Sequence, residues 1–268
     1  MLKKFLSALL MLLIFIPISM VGGIVFYLFI YFISLIGMHE FLNIKESKKH
    51  IPIFTRVLSY IAFSFIIFNS VNSSSLIFSI DYRILSGIFA LFLIPTILYH
   101  DSSIYSVNDS FFMIASILFL GISFSMLIVT RNVSFELLIY LLLIGVISDT
   151  YAFITGSLIG KRKLLESISP SKTVEGMIGG VVFGTFIPVM YFITVVNPNF
   201  NLLSLIFITL FLCVLGHMGD LCFSNIKRYF DKKDFSNMIP GHGGILDRFD
   251  SIIFILLGFM FFINIIGG

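Results

Sequence analysis

The sequence predicts an all-α fold: a polytopic membrane helix bundle with about nine transmembrane helices. Three observations carry that expectation. The 268 residues are 58% hydrophobic and 12% charged, with a mean hydropathy of +1.08, and a water-soluble chain of this length needs far more charge to cover its outside. Apolar runs close to the roughly 20 residues that cross hydrocarbon recur along the chain. The charges gather between those runs.

In order, the runs are 5–20, 22–37, 57–71, 84–100, 110–130, 135–158, 176–196, 202–223 and 249–266. The first two nearly touch at Gly22 and Gly23, as a tight hairpin or one broken element. Lys3 and Lys4 ahead of an apolar stretch also fit a signal peptide, but no small-residue cleavage site separates it from the next run. With a cytoplasmic N-terminus, segments 1–4, 38–56, 101–109, 159–175 and 224–248 lie inside. They hold all but Arg83 and Arg131 of the 17 Lys and Arg. That asymmetry satisfies the positive-inside rule and puts the C-terminus outside.

Within this scheme 38–56 is expected to be a solvated loop whose Lys45, Lys48, Lys49 and His50 set orientation. With 33 Phe and no Trp, the 10 Tyr would serve the interfaces. Gly176, Gly180 and Gly184, every fourth residue of the seventh run, permit close helix approach. Cys213 and Cys222, both in the eighth run, read as packing residues rather than a disulfide or zinc site.

Ionisable residues inside spans are costly in lipid and so point to function. Asp149 lies in the sixth run, and His217 and Asp220 close the eighth. On a helix, His217, Asp220, Ser224 and Lys227 share one face. For Lys227 alone, snorkelling at the interface is an equal alternative.

The segment from Ser224 to Asp250 combines a basic cluster, a histidine among glycines and acids ahead of the last span. Gly241, Gly243 and Gly244 around His242 allow backbone N–H groups to form an anion-binding concavity. Lys227, Arg228, Lys233 and Arg248 offer charge-assisted contacts to phosphate oxygens. Asp220, Asp247 and Asp250 supply the oxygen ligands that suit Mg²⁺. Acids and bases together point to phosphoryl or nucleotidyl transfer. In the loop from Lys161 to Gly176, Pro170 breaks any helix, Ser169, Ser171 and Thr173 can donate to phosphate, and Lys172 adds charge.

The spacing S-x-I-K-R-x4-K-D-x-S-x2-I-P-x-H-G-G-x2-D-R-x-D resembles the signature of the phosphatidate cytidylyltransferase (CDP-diacylglycerol synthase) family. Ser148-Asp149-Thr150 and the stretch Ser169 to Gly176 are similar to it as well, so the resemblance covers the C-terminal half. Val174 and Phe223 depart from the pattern, where many relatives have Trp and some an acid.

The resemblance implies a nucleotidyltransferase that converts CTP and phosphatidic acid to CDP-diacylglycerol and pyrophosphate. It also implies Mg²⁺ or Mn²⁺, with an accessory monovalent cation as a further expectation, in a homodimer among membrane lipids and without nucleic acid. Carried over, Asp220 and Asp247 bind the metal, and Lys227, Arg228, His242 and Arg248 hold phosphates. Asp149, Ser169, Lys172, Thr173, Ser224, Lys233, Asp234, Gly243, Gly244 and Asp250 complete the substrate pocket. Region 1–130 is then a scaffold with dimer and lipid contacts. Region 131–268 carries catalysis, with loops 159–175 and 224–248 facing the cytoplasm of a bacterial plasma membrane, which a compact chain without a targeting segment favours.

Two other readings stay open. One is a related CTP-dependent lipid enzyme, a polyprenol kinase or another CDP-lipid synthase. The other is an ion-coupled transporter using Asp149, His217 and Asp220, against which stands the lack of an inverted repeat.

Overall fold

The computed structural model describes residues 13–71, 81–238 and 243–266. Helix α1, described over 13–21, precedes α2 (Gly23–Glu46), α3 (Ile53–Val71), α4 (Tyr82–Leu98), α5 (Val107–Val133) and α6 (Phe135–Ile159). The strands β1 (Lys163–Leu165) and β2 (Ser169–Thr173) follow, then α7 (Val174–Tyr191), which runs on as a π-helical turn over Phe192–Val196. Next come α8 (Leu202–Tyr229) and α9 (Leu246–Phe259), and a 3₁₀ turn, Met260–Phe262, leads into α10 (Ile263–Ile266).

Short polar side chains start several of these helices by accepting an otherwise orphaned backbone N–H. Asp81 accepts from Arg83, Ser134 from Leu137 and Asn201 from Ser204, at 2.8, 2.9 and 3.1 Å. Among the described residues six helices are long and apolar enough to cross a membrane: α2, α3, α5, α6, α8, and α7 with its π-turn. The chain is a multi-pass integral membrane protein. The expected count of about nine is generous by this measure, because α4 has 17 residues and α9 has 14. Much of the run 5–20 lies outside the described residues.

The chain divides into two compact units, Met1–Asn132 with Asp234–Asp247, and Val133–Lys233 with Arg248–Gly268. In the first, Gly22 and Gly23 both have positive φ, 67° and 55°, which glycine adopts without strain. The turn lets the Phe15 ring meet Phe26 and Phe29 at 6.3 and 5.9 Å, so α1 and α2 form a tight hairpin. Arg131 donates from Nη2 to the Met20 carbonyl at 2.9 Å and from Nε to that of Ser19. A guanidinium thus stands at the negative end of α1, where a cation is stabilising.

Segment 38–56 is not a solvated loop. Helix α2 continues through Glu46 because Phe41, Leu42 and Ile44 bury an apolar face there. Lys45 meets Asp109 at 2.7 Å, Lys49 meets the same carboxylate, and Arg56 meets Glu46 at 2.8 Å, while Lys48 and His50 stay exposed on the short connection to α3. Asp109 is buried in the first turn of α5, so the expected loop 101–109 likewise ends early.

In the second unit the glycines of α7 lie against α6. A Cβ at Gly176 would stand 3.1 Å from Cα of Gly156, one at Gly180 2.7 Å from the Ser148 carbonyl, and one at Gly184 2.6 Å from Cβ of Ser148. Small residues therefore set the helix approach, as the four-residue spacing predicts. Helix α8 joins through Tyr140 and Thr209, whose hydroxyls lie 2.7 Å apart, and through the Cys213 thiol, which reaches the Gly180 carbonyl at 3.7 Å. Gly216 and Gly219 leave room for Ile255 and Phe254 of α9.

The polar loop between α6 and α7 is a hairpin, with Lys163 opposite Thr173 and Leu165 opposite Ser169. Pro170 excludes helix as expected, and extended pairing takes its place.

Candidate active site

The polar face read on the eighth run lies on one helix, since α8 runs unbroken from Leu202 to Tyr229. In the second unit this face meets β2. Lys172 Nζ pairs with Oδ2 of Asp220, each side chain being about one quarter exposed, at 26% and 24%. One turn later Ser224 Oγ stands 3.5 Å from the other Asp220 oxygen. Lys227, another turn on, is buried rather than snorkelled, and its charge acts on Asp250. Asp149 accepts from Ser251 Oγ at 3.2 Å, and Asp250 from the Ser251 amide at 2.9 Å. Asp149 and Asp220 also act electrostatically on Asp250. Three carboxylates and two lysines thus form one charge cluster at the end of apolar helices.

The other predicted residues of this unit surround that cluster in different ways. Thr173 caps α7, its hydroxyl accepting from the Gly176 amide at 3.1 Å. Glu175 accepts from the amides of Lys161 and Arg162, holding the hairpin to the same helix start. Ser169 lies in β2 opposite Leu165. Exposed Arg228 donates from Nε to the Ile168 carbonyl at 3.3 Å and from Nη1 to that of Lys232 at 2.9 Å, so it ties the end of α8 to the hairpin turn. Lys233 and Arg248 are exposed. His217 is buried against Gly180, its Nε2 without a hydrogen-bond partner among the described residues.

In the first unit, Asp247 is buried in the first turn of α9, and its Oδ2 accepts from the amides of Phe235 and Gly244, both at 2.9 Å. Gly243 has φ +81°, and a Cβ there would stand 2.7 Å from that oxygen. Asp234 is exposed. His242 and Gly241 lie outside the described residues. Gly243 and Gly244 thus lie close against a carboxylate of this chain, and that close approach is what these glycines permit.

Glu40 was missed in the sequence. Its carboxylate, 1% exposed, accepts from Ser236 Oγ at 2.6 Å and from the amides of Ile245 and Leu246 at 2.9 Å. The signal was present: an acid beside His39, just after the apolar run 22–37 and ahead of Phe41 and Leu42, to which the cost of burying charge applies as it does to Asp149.

Among the described residues no three His, Cys, Asp or Glu side chains converge as a metal cage. Mg²⁺ rarely needs one, since it binds through one or two carboxylates and completes its shell with water and substrate phosphates. Oxygen donors such as those of Asp220, beside Asp149 and Asp250, have the chemistry for an ion held in that way.

Residues 2–266 match the profile of the Cytidylyltransferase family. The chain is 36% identical over 252 residues to a phosphatidate cytidylyltransferase of Staphylococcus haemolyticus (strain JCSC1435), covering 94% of each chain. It is 35% identical over 254 residues to one of Staphylococcus aureus (strain COL), again covering 94% of each. With that match spanning nearly every residue, the charge cluster of α8 and the clasped segment before α9 are features of a protein that belongs to the cytidylyltransferase family.

Proposed function

We propose that the chain transfers the cytidylyl group of CTP to phosphatidic acid, giving CDP-diacylglycerol and pyrophosphate. The observation that carries this reading is the Lys172–Asp220 pair with buried Lys227 one face along α8. It brings together cations of the kind that hold phosphate and a carboxylate of the kind that holds a divalent metal, on and beside a helix long enough to cross a membrane. An amphiphilic acceptor suits that place, because its acyl chains stay in the bilayer while its headgroup meets a soluble nucleotide.

In the reaction a phosphatidate oxygen attacks the α-phosphorus of CTP in line. The new P–O bond forms as the bond to the bridging oxygen breaks, and that oxygen leaves on pyrophosphate. A phosphate monoester is largely ionised at neutral pH, so no strong general base is required. The work of the protein is positioning and charge neutralisation. Lys172, Lys227, Arg228, His242 and Arg248 are the groups proposed to hold phosphate oxygens, with Ser169, Thr173, Ser224, Lys233, Asp234, Gly243 and Gly244 completing the pocket. Asp149 and Asp250 are proposed to line the same substrate pocket. Asp220 and Asp247 are the carboxylates proposed for Mg²⁺ or Mn²⁺, which when bound offsets triphosphate charge and eases departure of pyrophosphate.

A homodimer is proposed on the family resemblance alone, and a bacterial plasma membrane with the site toward the cytoplasm accords with the distribution of Lys and Arg and with the bacterial relatives. The test is a double-label assay on purified protein. Label from the α-phosphate of CTP is expected in lipid, and label from the γ-phosphate alone would assign a kinase instead.

A further inference from the structure

We propose that Glu40, in the C-terminal third of α2, is a positioning residue for this reaction: it holds Ser236, Ile245 and Leu246 in the arrangement that presents Asp247. The inference rests on the reading that Asp247 belongs to the nucleotide site. A carboxylate 1% exposed within a membrane helix is tolerable only if hydrogen-bonded. Glu40 receives three such bonds, all from these residues.

Their placement is what matters. Ser236 precedes the glycine-rich stretch, while Ile245 and Leu246 follow it, so one carboxylate clasps both of its ends. Asp247 bonds Phe235 and Gly244, the residues immediately before Ser236 and Ile245. The two acids therefore grip the same two stretches of chain, one residue out of step. Gly244 makes this possible, since a Cβ there would stand 2.4 Å from Glu40 Oε1. The next residue of α2 adds an independent hold, the ring of Phe41 stacking on that of Phe235 at 6.0 Å and 19°.

The amides of Ile245 and Leu246 open α9, where a helix N-terminus ordinarily attracts an anion. Here the anion is the side chain of Glu40. Two roles fit an anion at that place: a stand-in for a substrate phosphate, displaced on binding, or a permanent hold on these residues. The contact to Ser236, which lies outside the helix start, favours the permanent clasp.

The experiment uses the full chain in nanodiscs, with Glu40→Gln, Glu40→Ala and Ser236→Ala. In Glu40→Gln the shape survives, but the amide NH₂ must face at least one backbone N–H. KM for CTP is expected to rise roughly tenfold to a hundredfold, the worth of a lost charge-assisted bond, with KM for phosphatidic acid unchanged. Glu40→Ala should exceed it. Amide exchange measured without substrate should quicken in the peptide covering 243–247 in all three variants, while α5 stays protected. A merely unfolded fraction would lower kcat per total protein and leave both KM values alone.

Unchanged exchange in that peptide in Glu40→Gln or in Ser236→Ala, which leaves α2 untouched, overturns the proposal. So does a fall in KM for CTP, which would make Glu40 a displaceable stand-in. Should wild-type protein transfer no α-label to lipid, the functional reading fails, and the exchange data still decide whether Glu40 holds Ser236, Ile245 and Leu246.

Discussion

Lys172, the penultimate residue of β2, is ion-paired with Asp220 on α8. It joins β2 to the charged face of α8, beside the bond from Arg228 to the Ile168 carbonyl in the hairpin turn. The Lys172 charge also acts on Asp149 and His217, so one ammonium balances much of the cluster in the second unit.

Lys172→Met should lower incorporation of α-label from CTP by roughly a hundredfold, the usual cost of removing one charge-stabilising donor from a transferase site. Lys172→Arg should lose less, since the charge remains. Equal losses in the two variants, in initial-rate assays on reconstituted protein, would show that shape rather than charge is needed there.

Asp247→Asn and Asp247→Ala separate two roles of one residue. Because a single oxygen accepts from both Phe235 and Gly244, the amide oxygen of Asn can keep both bonds while losing the charge a metal requires. Asn is expected to abolish turnover with thermal stability unchanged. Ala should abolish turnover and also cost about 1–3 kcal/mol by leaving buried amides unpaired. Asp220→Asn should likewise be inactive yet normally inserted, and near-normal turnover in either Asn variant would mean the metal is bound elsewhere.

Asp109→Ala removes the shared partner of Lys45 and Lys49 at the start of α5. Breaking a buried ion pair from one side costs about 3–5 kcal/mol, and the partial exposure of both lysines puts this case at the lower end. A fall in the midpoint of thermal unfolding in detergent is expected, with KM for CTP unaltered in the protein that remains folded.

Gly180→Ala and Gly87→Ala make a matched pair. A Cβ at Gly180 would press on His217 Nε2 and the Ser148 carbonyl, both at 2.7 Å, and a carbonyl cannot swing aside. Overpacking of this kind costs about 1–3 kcal/mol. Among the described residues nothing lies within 4 Å of a Cβ at Gly87, so alanine there should be neutral or mildly stabilising through helix propensity. Similar melting curves for the two would show that α7 and α6 can separate freely.

Much of this architecture is legible in the sequence because membrane helices announce themselves by length and apolarity. The four-residue glycine spacing and the polar face of α8 are local features that one helix period exposes. Other features depend on partners remote in sequence. Glu40 meets Ser236 and Ile245 across roughly two hundred residues, and no pattern around position 40 names those amides. The run 38–56 read as solvated because its lysines look like topology determinants, whereas Asp109 supplies the counter-charge that draws Lys45 and Lys49 inward. The pairing of β1 with β2 escaped because three- and five-residue strands carry too little periodicity.

The shared oxygen of Asp247 also bears on chain length. Phe235 and Gly244 return to one atom, so the chain between them is a closed loop whose closure cost grows only slowly with its length. A single added residue there should therefore weaken the clasp only slightly, whereas a long flexible epitope tag should loosen it by degrees and lower activity accordingly.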